Sequence, residues 1–394
     1  MQVAPVSAGP IRIGYCLSLS GPVAGNTRSA RLAHQIWCED VNRQGGRLGR
    51  PVELVCYDDY GNASVVPGLY TRLIETDRVD LVLGGYGTNT LLAAMPMIME
   101  RGRFFVGLMG LGVNNALNYP KYFAMIPTGP DPNGALTEGF FALAAEQSPR
   151  PGSVAILSAD AEFSRNPVLG ARANAKSYGL KIGFEQTYPL LTRNFAPILD
   201  AVAGSGAELL FLCSYLEDSI ALVRTLAEHP YRPKMVGASM IGPQNAEVKT
   251  ALGPLLNGLV NYEYWAPAPQ LMFEGTAAFL EVYQERAREA GVDLLGHYTA
   301  LLAYAQMQVL AQAVREAGSF DDDRLAAYTR AAVFQTVIGP VGFGLRGEWR
   351  EPRVLQVQFQ DVDSHDLEPF REGAHQVVVW PPELATGTLR YPRP

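Results

Sequence analysis

The sequence predicts an α/β protein made of two lobes, each built on a parallel sheet covered by helices. A length of 394 residues exceeds what one hydrophobic core usually serves, so two domains are expected. Short apolar runs alternate with amphipathic segments from Ile11 onward, which is typical of βαβ units. The alternation begins again after the Pro- and Gly-rich stretch 127–132, which indicates a second, similar lobe.

In the first lobe, the alternation predicts four strands connected by three helices. The pair Gly45 and Gly46 ends the first helix, and Pro51 follows the turn that leads into the next strand. In chain order the predicted elements are strand 11–19, helix 28–43, strand 52–57, helix 65–76, strand 81–83, helix 91–101 and strand 104–108.

The second lobe is predicted from a similar series, and the last part of the chain is expected to complete both lobes because its elements are too few for a third core. The series comprises strand 154–157, helix 167–178, strand 181–188, helix 195–204, strand 209–213, helix 218–228 and strand 234–237. The last part comprises strand 258–265, helices 273–290 and 298–317, and strands 353–359 and 376–380. We therefore expect residues 11–128 with 263–338 to form lobe 1, and 129–262 with 339–394 to form lobe 2.

Charge and hydropathy exclude several classes of function. The chain has 32 basic and 39 acidic residues, so it lacks the positive charge that nucleic-acid binding draws on. No stretch approaches the roughly 20 apolar residues of a membrane-spanning helix. The longest acidic run, 321–323, is expected to start a helix or form a solvated turn.

Catalytic, nucleotide-binding and metal-binding motifs are also missing from the sequence. The glycine-rich turns 84–87 and 107–112 match neither GxGxxG nor the P-loop pattern, and no GxSxG or HExxH occurs. We therefore expect no enzyme, no cofactor and no metal site. The four cysteines lack zinc-like spacing and are expected to be buried thiols, although the neighbouring strands of Cys16 and Cys56 leave a disulfide open.

No secretion signal is recognisable before Ile11, because a charged start followed by an apolar stretch and a cleavage site is missing. Residues 1–10 are expected to be a mature N-terminus, or the beginning that remains after a signal peptide has been removed.

Four segments together resemble the branched-chain amino acid and amide binding proteins of ABC transporters. They are 13–24 (IGYCLSLSGPVA, followed by a helix that ends near NRQGG), 55–59 (VCYDD), 82–85 (VLGG) and 380–387 (WPPELATG). The resemblance spans nearly all of residues 11–394. It implies a type I periplasmic-binding fold, in which two Rossmann-like lobes are joined by a three-strand hinge and hold the ligand in the cleft between them.

The resemblance also implies a function. It implies a periplasmic, monomeric solute-binding component of an ABC importer, which closes on a small molecule and docks on permease subunits in the inner membrane. A cytoplasmic amide sensor of the same fold is the alternative from a different class. Parallel α/β sheets bind ligands outside the carboxyl ends of their strands, so the turns after the strands are the candidate sites.

The resemblance assigns most of the candidate ligand-binding residues to those turns. Thr88, at the start of a helix, corresponds to the hydroxyl residue that holds a ligand carboxylate, and it could also cap that helix. Met109, Gly110 and Leu111 match a segment that offers main-chain groups. The aromatic residues Phe163 and Tyr215 match side chains that line the cleft, and Tyr86, with Tyr262 or Trp265, is expected to extend this aromatic wall.

Two departures from the family pattern bear on the ligand. Amino-acid binders have a carboxylate that pairs with the ligand's ammonium, and this chain is expected to have Ser239 at that position. The nearest acidic residue is Glu247, in a different helical stretch. Glu217 or Asp218 could take over the pairing with an ammonium. Asn26 replaces a first-turn aromatic. An unpaired buried ammonium costs several kcal/mol, so an acid without an α-amine is favoured, best an aromatic acid. Branched-chain amino acids, amides and urea-like compounds remain alternatives.

Overall fold

A computed structural model of the protein describes residues 9–21 and 23–394. Residues 1–8 of the expected mature N-terminus, and Pro22 of the Ser-Gly-Pro motif, lie outside the described residues. The strands are β1 (Ile11–Leu17), β2 (Val52–Asp58), β3 (Leu81–Tyr86), β4 (Phe105–Met109), β5 (Tyr122–Ala124), β6 (Ser153–Ala159), β7 (Lys181–Tyr188), β8 (Leu209–Ser214), β9 (Met235–Met240), β10 (Leu259–Glu263), β11 (Val333–Thr336), β12 (Gly339–Gly342), β13 (Leu355–Phe359) and β14 (Gln376–Trp380).

Helices connect most of these strands. They are α1 (Ala24–Arg43), α2 (Val66–Thr71), α3 (Thr88–Glu100), α4 (Pro132–Ala145), α5 (Glu162–Ser177), α6 (Ala196–Gly204), α7 (Leu216–Glu228), α8 (Ala246–Leu252), α9 (Thr276–Ala290), α10 (Thr299–Ala317), α11 (Asp322–Ala331) and α12 (Glu368–Arg371). Helix α2 continues into a π-helical turn, Arg72–Thr76. Within the described part of the chain, no helix is both long and apolar enough to cross a membrane.

The chain divides into two compact units. Unit 1 contains the described residues up to Ile126 together with Phe273–Arg350, and unit 2 contains Pro127–Met272 together with Glu351–Pro394. The lobe boundaries expected after residues 262 and 338 fall before the observed ones, at Met272 and Arg350.

Unit 1 is built on a five-stranded parallel sheet in the order β2-β1-β3-β4-β5. Helix α1 packs against both the sheet and α10, and the ring of His34 on α1 lies edge-on to Tyr15 of β1, with 4.8 Å between the ring centroids. A small antiparallel hairpin of β11 and β12 completes the unit. Helix α11 starts at the predicted acidic run, where the Asp321 carboxylate accepts a hydrogen bond from the Arg324 N–H at 2.9 Å.

Unit 2 is built on a seven-stranded sheet in the order β14-β13-β10-β9-β8-β6-β7. Strands β6 to β10 are parallel, whereas β13 and β14, which come from the last part of the chain, are antiparallel. The core contains three fully buried phenylalanines, Phe140, Phe141 and Phe211. The rings of Phe141 and Phe211 stack with 5.7 Å between centroids. Burial of such large aromatic surfaces is a main source of the unit's stability.

Candidate functional site

In unit 1, the predicted site residues collect at the carboxyl end of the parallel sheet. Tyr86 ends β3 and is paired in register with Met109, which ends the neighbouring β4. Thr88 follows Tyr86 at the start of α3, and Gly110 and Leu111 form the turn after β4. Adjacent parallel strands end at the same edge, so these residues form one cluster, where helix N-termini present free amides.

Asn26 lies in the first turn of α1 and is linked to this cluster by hydrogen bonds. Its Nδ2 donates to the Tyr86 hydroxyl at 3.0 Å, and the Tyr86 hydroxyl lies 3.4 Å from that of Tyr298. All three side chains are buried, yet Asn26 Oδ1 has no hydrogen-bond partner among the described residues. A buried carbonyl oxygen without a donor is unfavourable, so the cluster is suited to a further polar partner at this position.

Burial raises the pKa of Tyr86 above its usual value, and the hydrogen bonds with Tyr298 and Asn26 oppose that shift. The hydroxyl therefore stays protonated at neutral pH and can serve as a donor. Tyr298, which precedes α10, is an addition to the predicted residues. The only sequence feature that could indicate it is its position before a long helix.

Thr88 is the first residue of α3 rather than its N-cap. The N-cap is Gly87, which adopts φ 104°, a conformation that favours glycine. The Thr88 hydroxyl instead accepts a hydrogen bond from the Leu111 N–H at 3.1 Å, and the Gly87 N–H donates to the Met109 carbonyl at 2.7 Å. These two bonds tie the turns after β3 and β4 together, and the Thr88 hydroxyl proton is left available to donate to a ligand.

Gly110 is required by packing. A Cβ at this position would come 2.6 Å from Leu91 Cδ1 and 2.8 Å from Val113 Cγ2, which is too close for either side chain. The glycine therefore lets the turn pack directly on α3, and this steric role accounts for it without a ligand.

In unit 2, three aromatic rings meet at the carboxyl ends of the strands. The ring of Phe163, in the first turn of α5, lies 6.3 Å from that of Tyr215 in an edge-on arrangement. It lies 6.5 Å from the ring of Tyr262 at an interplanar angle of 30°. The two predicted residues are thus together, and Tyr262 joins them. Trp265 is buried, and its indole N–H donates to the Leu271 carbonyl at 2.8 Å.

Ser239 was expected to come after the end of a strand. It lies instead inside β9, which extends to Met240. It is paired in register with Cys213 and is fully buried, and its Oγ has no hydrogen-bond partner among the described residues. The strand is locally distorted, because Gly237 and Ala238 have φ of 126° and 101°. A positive φ at alanine is strained and has no sequence signature, which is why the expected end of the strand was too early.

Three acidic residues of unit 2 bear on the expected lack of a carboxylate partner at Ser239. Glu263 ends β10, the strand next to β9, and is buried, and Gln376 Nε2 donates to its carboxylate at 3.4 Å. The Asp218 carboxylate accepts hydrogen bonds from the Tyr188 hydroxyl at 2.8 Å and the Tyr215 N–H at 2.9 Å. Glu217 is exposed and lies 3.8 Å from Arg193. Glu263 is thus a buried carboxylate at the end of a neighbouring strand, which the sequence prediction did not consider.

The four cysteines are free thiols, but only Cys16 and Cys213 are buried as expected, whereas Cys38 and Cys56 are half-buried. Cys56 is in register with Tyr15, whereas Cys16 is in register with Tyr57. Since neighbouring residues of a strand face opposite sides of a sheet, Cys16 and Cys56 do not face each other, and the disulfide left open by the sequence is not formed. Within the described residues, no group of three His, Cys, Asp or Glu side chains is arranged to hold a metal ion.

Comparisons with known proteins agree with this architecture. The family model for periplasmic binding proteins matches residues 10–354. The Leu/Ile/Val-binding protein homolog 7 of Brucella melitensis is 21% identical, over 99% of this chain and 96% of its own. The branched-chain amino acid transporter substrate-binding protein LivJ of Streptococcus pneumoniae, in complex with isoleucine, superposes with a TM-score of 0.74 at 17% identity, covering 90% of this chain and 97% of its own.

A second solved structure is similar to the same extent. It is the solute-binding protein of an ABC transporter from R. palustris in complex with benzoate, with a TM-score of 0.72, 16% identity, and coverage of 94% of this chain and 96% of its own. The likeness to these structures confirms the predicted type I fold. The chain belongs to the periplasmic binding protein family, whose members are substrate-binding components of transporters and not enzymes.

Proposed function

We propose that this protein is the periplasmic binding component of an ABC importer, and that its ligand is a small carboxylate without an α-amine, best an aromatic acid. The observation that carries the proposal is the cluster at the carboxyl edge of unit 1. There, the Thr88 hydroxyl proton, the protonated Tyr86 hydroxyl and the free first-turn amides of α3 are hydrogen-bond donors. A carboxylate only accepts hydrogen bonds, so such a set of donors suits it.

The aromatic residues of unit 2 support the second half of the proposal. Phe163 and Tyr215 are both half-buried, and the neighbouring Tyr262 gives them a rigid support. We propose that these rings contact the apolar part of the ligand, as the family resemblance implies. The R. palustris relative, whose complex contains benzoate, is a precedent in this fold for such a compound.

Asn26, Met109, Gly110 and Leu111 remain in the proposed site, the first through its unpartnered oxygen and the others through their main chain. Ser239 also remains in the proposed site, because its buried hydroxyl has no hydrogen-bond partner among the described residues. We further propose that the protein acts as a monomer that delivers its ligand to permease subunits in the inner membrane.

A second candidate function, binding of a branched-chain amino acid, is favoured by Glu263. A buried carboxylate at the end of β10 is a suitable partner for a ligand ammonium, and the LivJ relative is complexed with isoleucine. The two candidates differ in how binding depends on Glu263. An amino acid requires the Glu263 carboxylate to be charged, whereas an acid without an amine does not.

Calorimetric titration with benzoate and with leucine separates the candidates. We expect benzoate to bind more tightly, and Thr88→Ala to weaken its binding by roughly 1.5–3 kcal/mol, as for a hydrogen bond to a charged group. The control Thr88→Ser keeps the hydroxyl and should retain most of the affinity. Tighter binding of leucine, with a loss on Glu263→Gln, would instead establish the amino-acid function.

A further inference from the structure

A groove on unit 1 lies between the C-terminal halves of α1 and α10. Its volume is about 430 Å³, within the range of small-molecule sites, and Trp37, Arg47, Tyr304 and Arg315 are among the residues that line it. Trp37 is 3% exposed and forms part of its floor. The groove is distinct from the carboxyl-edge cluster, because Asn26 and the lining residue Asp40 are separated by 14 positions of one helix, or roughly 20 Å at 1.5 Å per residue.

Most hydrogen-bond acceptors among the side chains of this groove are already used. Both Asp40 oxygens are occupied, one by Arg43 and the other by the Tyr304 hydroxyl at 3.0 Å. Gln308 Oε1 accepts from the Val337 N–H at 2.8 Å. Gln312 Oε1 likewise accepts from the Gln335 N–H at 3.3 Å. A ligand in the groove therefore finds few acceptors.

Donors, in contrast, remain available. Within the described residues, the Arg47 side chain forms no ion pair, and its one hydrogen bond runs from Nη1 to the Gly46 carbonyl at 3.2 Å. Arg315 uses Nε for the exposed Glu316, at 2.6 Å, which leaves both terminal nitrogens free. Gln308 Nε2 has no acceptor among the described residues. The groove thus offers two guanidinium groups and an amide against the single Asp40 carboxylate that also lines it, a combination that recognises oxyanions.

The direction of the Arg47 pKa shift agrees with a groove that recognises oxyanions. Burial lowers the pKa of Arg47, and the positive charge of Arg315 lowers it further. The two guanidinium groups therefore repel each other across the groove. A bound anion would relieve that repulsion.

We propose that this groove is an accessory binding site for a small oxyanion, a carboxylate or a phosphate, held by Arg47 and Arg315 above the buried face of Trp37. The site would allow unit 1 to respond to a solute other than the transported ligand. Its occupancy does not depend on the function proposed above, because no residue of the carboxyl-edge cluster lines it.

Titration with citrate and with inorganic phosphate tests the proposal, with arginine Nε–H resonances followed by NMR at constant ionic strength. We expect saturable shifts at Arg47 and Arg315 in the unmodified protein. The double variant Arg47→Gln/Arg315→Gln should bind at least about tenfold more weakly, since each lost contact is a charge-assisted hydrogen bond. The matched control Arg288→Gln/Arg324→Gln removes two exposed arginines of the same unit and should bind normally.

The tighter-binding probe identifies the class of anion, carboxylate or phosphate. All four substituted arginines lie at least partly at the surface, so equal melting temperatures would show that each variant is folded. The proposal is overturned if neither probe gives saturable shifts at the two arginines, or if the groove variant binds as tightly as its control.

Discussion

At the scale of single residues, His34 shows how burial fixes a protonation state. Its Nε2 lies 3.1 Å from Gln306 Oε1, and Gln306 Nε2 donates to the carbonyls of Gly84 at 2.9 Å and Val106 at 2.7 Å. Because the amide group of Gln306 is the donor to both carbonyls, its oxygen must accept from His34, so Nε2 carries the proton. The His34 Nδ1 has no partner among the described residues.

Acid should therefore destabilise unit 1 through His34. Burial lowers its pKa to about 4, from 6.5, so the unfolded chain takes up the proton first as the pH falls. The stability linked to neutral His34 is complete above pH 6.5 and declines as the pH approaches 4, by roughly 3 kcal/mol in total. Urea unfolding between pH 7 and 4.5 measures this slope, and His34→Gln should reduce it. An identical slope in the variant would show that other groups cause the acid sensitivity.

At the scale of elements, the distortion of β9 is supported by a side chain of the neighbouring strand. Pairing between β9 and β10 ends where Ala238 meets Asn261. Beyond that point, Asn261 Oδ1 accepts from the Met240 N–H at 3.0 Å, and Asn261 Nδ2 donates to the Met240 carbonyl at 2.8 Å. The amide thus replaces the strand partner that the distortion removes, in fully buried surroundings.

Replacing this amide should be costly. Asn261→Ala leaves two buried main-chain groups of Met240 unpaired, which should lower the free energy of unfolding by roughly 2–4 kcal/mol. Asn257 is a matched control, because it binds the N–H and carbonyl of Val362 in the same way, at 2.9 and 2.8 Å, but is only half-buried. Water can replace it, so Asn257→Ala should cost less. Equal losses in chemical denaturation would contradict this account.

The alternation of apolar and amphipathic segments was sufficient to predict most elements, and β7 and β14 have the predicted bounds. The three-residue strand β5 is too short to give a periodic pattern, and α4 begins at Pro132, the last residue of the stretch expected to be a linker. The same limit applies to the site. Family motifs pointed to Thr88 and Phe163, whereas Glu263 and Tyr298 depend on the course of the backbone, which periodicity does not contain.

At the scale of the whole molecule, two similar units were predictable because the alternation of strands and helices occurs twice. The antiparallel pairing of β13 and β14 was not, since alternating hydrophobicity is the same in either direction. Each unit thus takes its last elements from a distant part of the chain.

Removing residues after Arg350 should therefore destabilise unit 2 specifically, because β13 lies inside its sheet.

The cysteines allow the two units to be followed separately. Cys16 of unit 1 and Cys213 of unit 2 are buried, and burial raises the pKa of Cys213 to about 12 and that of Cys16 still further. Neither thiol should react until its own unit opens. With Cys38 and Cys56 replaced by serine, pulse labelling by a thiol reagent in increasing urea, read by mass spectrometry of the two peptides, should give one opening free energy per unit. Simultaneous labelling at every urea concentration would mean that the units unfold as one. If the two thiols are instead labelled at different urea concentrations, the same pair would report which half of the protein a bound solute stabilises.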